Sequence, residues 1–408
     1  MRRSSLLLTL ALTLSASLTF AENWPTWRGP RGDGISQEKN LLDSWPEGGP
    51  QLAWSAKVGD GFSTPIAADG KIYIYTIKEG QEALTCLDAA TGKLVWTQPY
   101  GPAKPIPNGY PGTRATPTLE GNAIYTFGTS GVLVGAKANN GQEVWKLDVL
   151  KETGAKNLGW GTSSSPLVLD KEVIVQGGVG GPIAIAADRM TGKIKWVADR
   201  KGTSSYAAPI LITVDDVKQV IIFSGEGAHA LAPDTGKQIW FVPFKTGPSV
   251  NAATPLYRDH QLFISGAYNH GCQMIKVTAT SAEKTWPDDN KVVMAKFPSP
   301  ILDGDAVYAN SDGTLKCVSW PDCQVKWESR DFTLGPGGSF VRFDDKLITL
   351  GETGTACLLK ATPEGVTPIS KFIPFPKGNG YWSSPLIYKG KLYLKGGDEL
   401  KCYNIAAK

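Results

Sequence analysis

The 408-residue sequence has no Cys-x-x-Cys, no Cys-x-x-Cys-His and no adjacent cysteine pair among its six cysteines. Those absences argue against structural zinc, c-type haem and a vicinal redox disulfide. Charge bias is missing too. The 42 basic and 38 acidic residues become 40 against 38 once Arg2 and Arg3 are set aside with a leader, a balance that makes no electrostatic case for nucleic acid or anionic lipid as partner. Beyond the first 21 residues there is no apolar run of membrane-spanning length and no long stretch with helical periodicity. Only three histidines occur. At 41% hydrophobic and 20% charged residues, the composition excludes disorder and suits a globular chain with a large core.

Residues 1–21 read as a secretory signal peptide. Arg2 and Arg3 precede an apolar run from Leu6 to Leu18, and Thr19-Phe20-Ala21 offers a small-residue cleavage site before Glu22. The run is short for a membrane anchor and is diluted by Thr and Ser. The leader has no cysteine to accept a lipid. The expected location is therefore periplasmic or extracellular, where cysteines can oxidise. Cys317 and Cys323 flank "VSWPD" and are one candidate pair for a short bridge; spacing does not fix the pairing.

What the sequence does have is a period. "LDAATGKLVW", "AKANNGQEVW", "AADRMTGKIKW" and "LAPDTGKQIW" end at Trp96, Trp145, Trp196 and Trp240, and weaker copies end at Trp286 and Trp327. With Trp54 the steps are 42, 49, 51, 44, 46 and 41 residues. A second landmark runs in phase with the first, in "FSTPI", "RATPT", "SSSPL", "YAAPI", "NAATPL", "FPSPI" and "WSSPL", with "GGSFV" filling one gap. Eight units of this length, each with alternating strands and glycine-bearing turns, predict an all-β, eight-bladed propeller of four-stranded blades.

Recurrence also settles the role of the conspicuous motif, because a reactive site occurs once and a scaffold element repeats. Gly92, Gly141, Gly192 and Gly236 each stand four residues before a Trp, where a tight turn calls for positive φ. Asp88 and Asp188 are placed to bond turn amides, and the indoles of Trp96, Trp196 and Trp240 to fill the seam against the next blade. Trp54 lies in a last strand with no first three strands upstream, while the C-terminal "WSSPLIYKGKLYLKGGDELKCYNI" has three strands and lacks a fourth. Joining them closes residues 51–408 into a ring without an open edge, expected to be a monomer. Residues 22–50 are expected to be an irregular tail over one face or the rim.

Ala186, Asp188, Gly192 and Trp196 match in full the Ala-x-Asp-x-x-x-Gly-x-x-x-Trp docking motif of quinoprotein propellers. The first unit has Cys86 in place of the Ala, and the fourth has Ala232 in place of the Asp. The chain from residue 22 onward thus resembles PQQ-like repeat proteins, including the outer-membrane assembly factor family. Its opening "NWPTWRGPRGDG" is similar to that of secreted bacterial members. The resemblance implies the fold; it hosts both dehydrogenases and non-enzymatic scaffolds.

In such propellers the loops before each first strand, and those between second and third strands, gather at one mouth of the channel. Three residues before the landmark prolines stand Phe62, Arg114, Ser163, Tyr206, Ala252, Phe297 and Trp382. The other loop set adds Glu226, Tyr268, Asn269, His270, Asp312, Glu352 and Asp398. Ligand contacts are expected at Phe62, Arg114, Trp160, Tyr206, His270, Phe297, Glu352 and Trp382, an aromatic rim with polar groups. Arg114 is the best placed to meet an anion. His270 reads more simply as a solvated loop residue, and Asp288-Asp289-Asn290 as a solvated turn rather than a Ca²⁺ loop. No catalytic or metal-binding set stands out.

Two functions are compatible with these readings. The first is a secreted, non-catalytic binding or scaffolding propeller without cofactor, taking an envelope protein, peptide or saccharide. The second is a dehydrogenase of alcohols or sugars, using PQQ held by Ca²⁺ and an Asp as base. The missing vicinal cysteines and haem motif weigh against the second, and neither Asp312 nor Glu352 is singled out by spacing as its base.

Overall fold

The computed structural model describes residues 22–407, apart from 107, 111, 289, 377 and 379. The expected signal peptide lies outside the described residues. Eight antiparallel four-stranded sheets follow one another around a ring. The single α-helix among the described residues is Val149–Thr153. The first blade shows why the repeat folds this way. Its strands Ile66–Ala68, Lys71–Lys78, Gln81–Asp88 and Leu94–Pro102 are joined by Asp69-Gly70, Glu79-Gly80 and the Thr91-Gly92 turn. Both residues of the first two turns have positive φ, from 51° to 77°, the twist that matches a two-residue hairpin to right-handed strands.

The recurring motif proves to be a joint with three parts. The Asp88 carboxylate accepts hydrogen bonds from the Thr91 amide and hydroxyl at 2.8 and 2.7 Å, and Asp188 does the same at Thr191. These bonds hold both carboxyls below the usual range. The glycine is required twice over. Gly92, Gly141, Gly192 and Gly236 have φ near +70°, and a Cβ on each would come within 2.4–2.5 Å of the indole reaching over from the preceding blade. Those indoles are Trp54, Trp96, Trp145 and Trp196. The third part is the indole N–H, which Trp54, Trp145, Trp196 and Trp327 donate to backbone carbonyls of the next blade at 2.7–3.1 Å. Trp240 instead donates to Gln219 in its own sheet. A register shift precedes each of these tryptophans on its strand, and such a bulge turns the side chain towards the neighbouring blade.

The ring closes as the sequence predicts. Gln51–Lys57 pairs antiparallel with Glu399–Asn404, Trp54 opposite Cys402, and completes the eighth sheet with Leu386–Tyr388 and Lys391–Gly396. An inner tie went unread in the sequence. In several landmarks the residue before the proline carries a hydroxyl that accepts an amide from the same position one blade earlier. Ser165 takes Thr116, Ser299 takes Thr254, and Thr64 takes Ser384, at 2.8–2.9 Å.

Residues 22–50 are more ordered than a tail. Trp24 bridges to Ala67 in the first blade, Thr26 meets Thr118 in the second, and the Trp27 indole donates to Thr254 in the fifth. Arg28 is buried and donates to the carbonyls of Gly32, Asp33 and, in the sixth blade, Pro300; burial lowers its pKa to about 10. Ile35–Ser36 then adds a fifth strand to the seventh blade, parallel to Ser339–Phe343. The Glu38 carboxylate takes the amides of Lys389 and Gly390 in the eighth. The segment thus crosses the channel and returns around the ring.

The Cys317–Cys323 pairing is corrected. All six cysteines are free and buried. Cys317 faces the core shared with the seventh blade, while Cys323 faces the fifth, where its thiol lies against that of Cys272. Opposite seams separate the two.

Candidate functional site

A first strand starts just after each landmark proline, so the residue three places earlier rides on a loop at the channel mouth. All seven of these residues, Phe62 to Trp382, line one cavity of about 390 Å³. Trp160 lines it as well. Tyr268, from the loops between second and third strands, lines it too, as do Trp27, Tyr110 and Lys296, which share no repeated spacing. Trp27, carried by the crossing N-terminal segment, also lines a second cavity of about 530 Å³ on the other side. The mouth is therefore a cup with a floor.

Aromatic rings dominate the wall. Trp382 is central, with Phe62, Phe297 and Tyr110 at centroid distances of 4.6, 4.9 and 5.4 Å. On another side Trp160 and Tyr206 meet at 6.2 Å, and the Trp160 amide donates to the Tyr206 hydroxyl. Ring planes within these pairs are tilted by 30–67°, so they shape a rounded bowl. Trp27, Phe62, Trp160, Tyr206, Phe297 and Trp382 are all half-buried, and Tyr110 and Tyr268 are exposed. Their faces are available.

Two cations stand among the rings. Arg114 lies over Phe62 at 5.2 Å and donates to the carbonyls of Gly112 and Tyr110 at 2.8 and 2.6 Å. Burial brings its pKa down to about 10, so it stays charged at neutral pH. Lys296 Nζ sits 5.1 Å from the Phe297 ring centre and 5.8 Å from that of Tyr268. No carboxylate is found among the described residues lining the cup.

Other expected contacts lie elsewhere. Glu352 does not line the cup but supports it, its Oε1 accepting from the Trp382 indole at 2.7 Å and the Gly337 amide at 2.9 Å. His270 packs edge-on against Phe244 at 4.2 Å, and burial lowers its pKa. Glu226 holds Arg200 and the Thr203 amide, and Asp398 pairs with Lys57. Asp312 and Asn269 occupy positive-φ turns. Asp288 is tied to Lys284 and Gln273, and Asp289 lies outside the described residues. The loops between second and third strands thus contribute Tyr268 alone of the seven expected residues. Tyr110 and Lys296 were missed because neither sits at a repeated offset. Trp27 was visible in "WPTWRGP" but was assigned to a tail.

The donor set bears on the cofactor that quinoprotein folds can hold. Among the described residues no three Asp, Glu, His or Cys side chains converge as a metal site. Glu352, the carboxylate that braces the site, is committed to Trp382 and Gly337. Hard Ca²⁺ takes six to eight oxygens, usually with carboxylates among them, and these residues do not fit a calcium-held quinone.

The fold and site define a closed eight-bladed propeller of the quinoprotein type with an aromatic cup on its axis. A family model described as "Outer membrane protein assembly factor BamB" matches residues 46–107 and 82–329, more than half of the chain, and the chain belongs to that family. It is 28% identical over 204 residues to the outer membrane protein assembly factor BamB of Shewanella oneidensis, covering 44% of this chain and 47% of that protein. It is 26% identical over 191 residues to the dehydrogenase subunit of a quinone alcohol dehydrogenase of Gluconacetobacter polyoxogenes, covering 43% of this chain and 25% of that protein. The aligned region therefore spans about half of the first relative and a quarter of the second. Among solved structures, BamB of Moraxella catarrhalis superposes with a TM-score of 0.64 at 17% identity, covering 87% of this chain and all of that one. The quinohemoprotein alcohol dehydrogenase of Comamonas testosteroni gives 0.67 at 14% identity, covering 95% and 81%. At these identities the structural likeness is one of fold. Among the described residues no helix is long and apolar enough to cross a membrane.

Proposed function

We propose that this protein is a non-catalytic binding propeller of the bacterial envelope that holds a ligand, or a segment of a partner, in the aromatic cup. The observation that carries this reading is the cup itself: half-buried rings with exposed faces around two cations, on a rigid ring and closed behind by Trp27. Rigid loops on a closed ring bind with little ordering cost. An envelope location is supported by the family and by the leader-like residues 1–21. The described lining residues include no carboxylate to act as base, which supports binding without redox chemistry.

The test is cross-linking from the cup. A photoreactive phenylalanine analogue replacing Tyr110 or Tyr268 is expected to give a discrete adduct in envelope fractions, lost in Trp382→Ala. Absence of any adduct from either position would remove the cup as a binding site. Dye-linked alcohol or glucose oxidation after incubation with PQQ and Ca²⁺ would establish the dehydrogenase reading instead.

A further inference from the structure

We infer that the cup takes a short acidic saccharide, one whose carboxylates are spaced along a chain of sugar rings. This rests on the binding reading above and names the ligand class.

Three features converge. The first is charge. Arg114 precedes the second blade and Lys296 the sixth, half a turn of an eightfold ring apart, so they stand on opposite sides of the mouth. Neither has a carboxylate partner among the described lining residues. Arg114 gives one N–H each from Nη1 and Nη2 to its own loop, leaving three of the five donors of a guanidinium for a ligand. Among the described residues Lys296 contacts the ring faces of Tyr268 and Phe297 and has no hydrogen-bond partner. Two partly desolvated cations that far apart are satisfied by two anionic groups separated along a ligand, not by one compact anion.

The second feature is shape. Contacting rings in the wall are tilted by 30–67° to one another, so the wall curves instead of offering one flat face. They present several electron-rich faces at different angles, and the C–H edges of a puckered pyranose meet such faces favourably. The third is hydrogen bonding. Ser163, Ser165, Thr64 and Tyr206 line the cup; the hydroxyls of the last three already accept a backbone amide, which leaves their O–H to donate to sugar oxygens. The described wall is made of side chains on separate loops, whereas an extended peptide is held by pairing with a strand edge. A volume of about 390 Å³ lies in the range of small-molecule sites.

The probes are a galacturonic acid trimer, its fully methyl-esterified neutral counterpart, tetraglutamate and PQQ, titrated calorimetrically into the full protein. The acid trimer is expected to bind, and the neutral ester about tenfold or more weaker, a difference of about 1.4 kcal/mol. Lys296→Gln and Arg114→Gln should each weaken the acid trimer about tenfold and leave the ester unchanged. Arg114 also braces its own loop, so Lys296→Gln, which removes no hydrogen bond, is the decisive variant if Arg114→Gln misfolds. Equal affinity for acid and ester, no binding of the trimer, or tighter binding of tetraglutamate or PQQ would overturn the inference. If the trimer fails while the cross-linked adduct persists, this ligand class falls and the binding reading stands; loss of both removes both.

Discussion

Tryptophans occupy two settings in this molecule. Of those in the seams, Trp54, Trp145, Trp196 and Trp240 are buried and give the N–H to the neighbour's backbone or to Gln219, while Trp96 is half-buried; four of the five lie on a glycine of the following blade. Those of the cup, Trp160, Trp382 and Trp27, are half-buried and keep a face towards open space. The same side chain is fully used in one place and held in reserve in the other. What distinguishes them in the sequence is recurrence: seam positions return with each blade, and the cup is assembled from residues that differ at equivalent positions.

The sharpest way to break this contrast is truncation. Trp145→Ala removes the ring over Gly192 and the bond to Arg189, and is expected to cost about 3–5 kcal/mol in urea unfolding. A smaller cost would mean that the seam is looser than its contacts imply. The next largest effect concerns a buried aromatic that titrates. His229 is fully buried between Ser224 and Gln238 and stacked on Phe241, and burial lowers its pKa to about 4. Above pH 6.5 both folded and unfolded imidazoles are neutral. Below it the unfolded chain takes up a proton that the folded one refuses until about pH 4, so stability falls with pH across that window by up to about 3 kcal/mol. Unfolding followed from pH 7 to 4 should show this slope, and His229→Gln should flatten it; an unchanged slope would place the acid sensitivity in another group. The smallest effect belongs to the cup. Trp382→Ala, at a half-buried site, is expected to shift stability by about 1 kcal/mol or less while abolishing ligand capture. A seam-sized loss would make the cup a structural plug.

The ring, its blade number and its closure were legible because each rests on a pattern the chain repeats eight times, and a periodic signal survives local degeneracy such as Cys86 in place of Ala. The pre-proline loop positions were legible for the same reason, and all seven meet in one cavity. Aperiodic features were not. Lys296 and Tyr110 have no counterparts in other blades, and the role of Glu352 as a brace for Trp382 depends on a contact 30 residues away. Cysteine pairing failed on a similar point. Only five residues lie between Cys317 and Cys323, but the turn between them places one thiol on each side of the blade, and sequence distance says nothing about side. The bulge that precedes Trp54, Trp96, Trp145, Trp196, Trp240 and Trp327 leaves no compositional mark, because it is a one-residue slip in register.

The pairing of residues 51–57 with 399–404 has a consequence for biogenesis. A strand made early in synthesis finds its partner only about 350 residues later. Until then it is an adhesive ribbon, and so is the hairpin stub waiting at the far end. A cell making this chain must keep both unpaired until synthesis is complete, and any premature stop after the seventh blade leaves a horseshoe with two sticky tips.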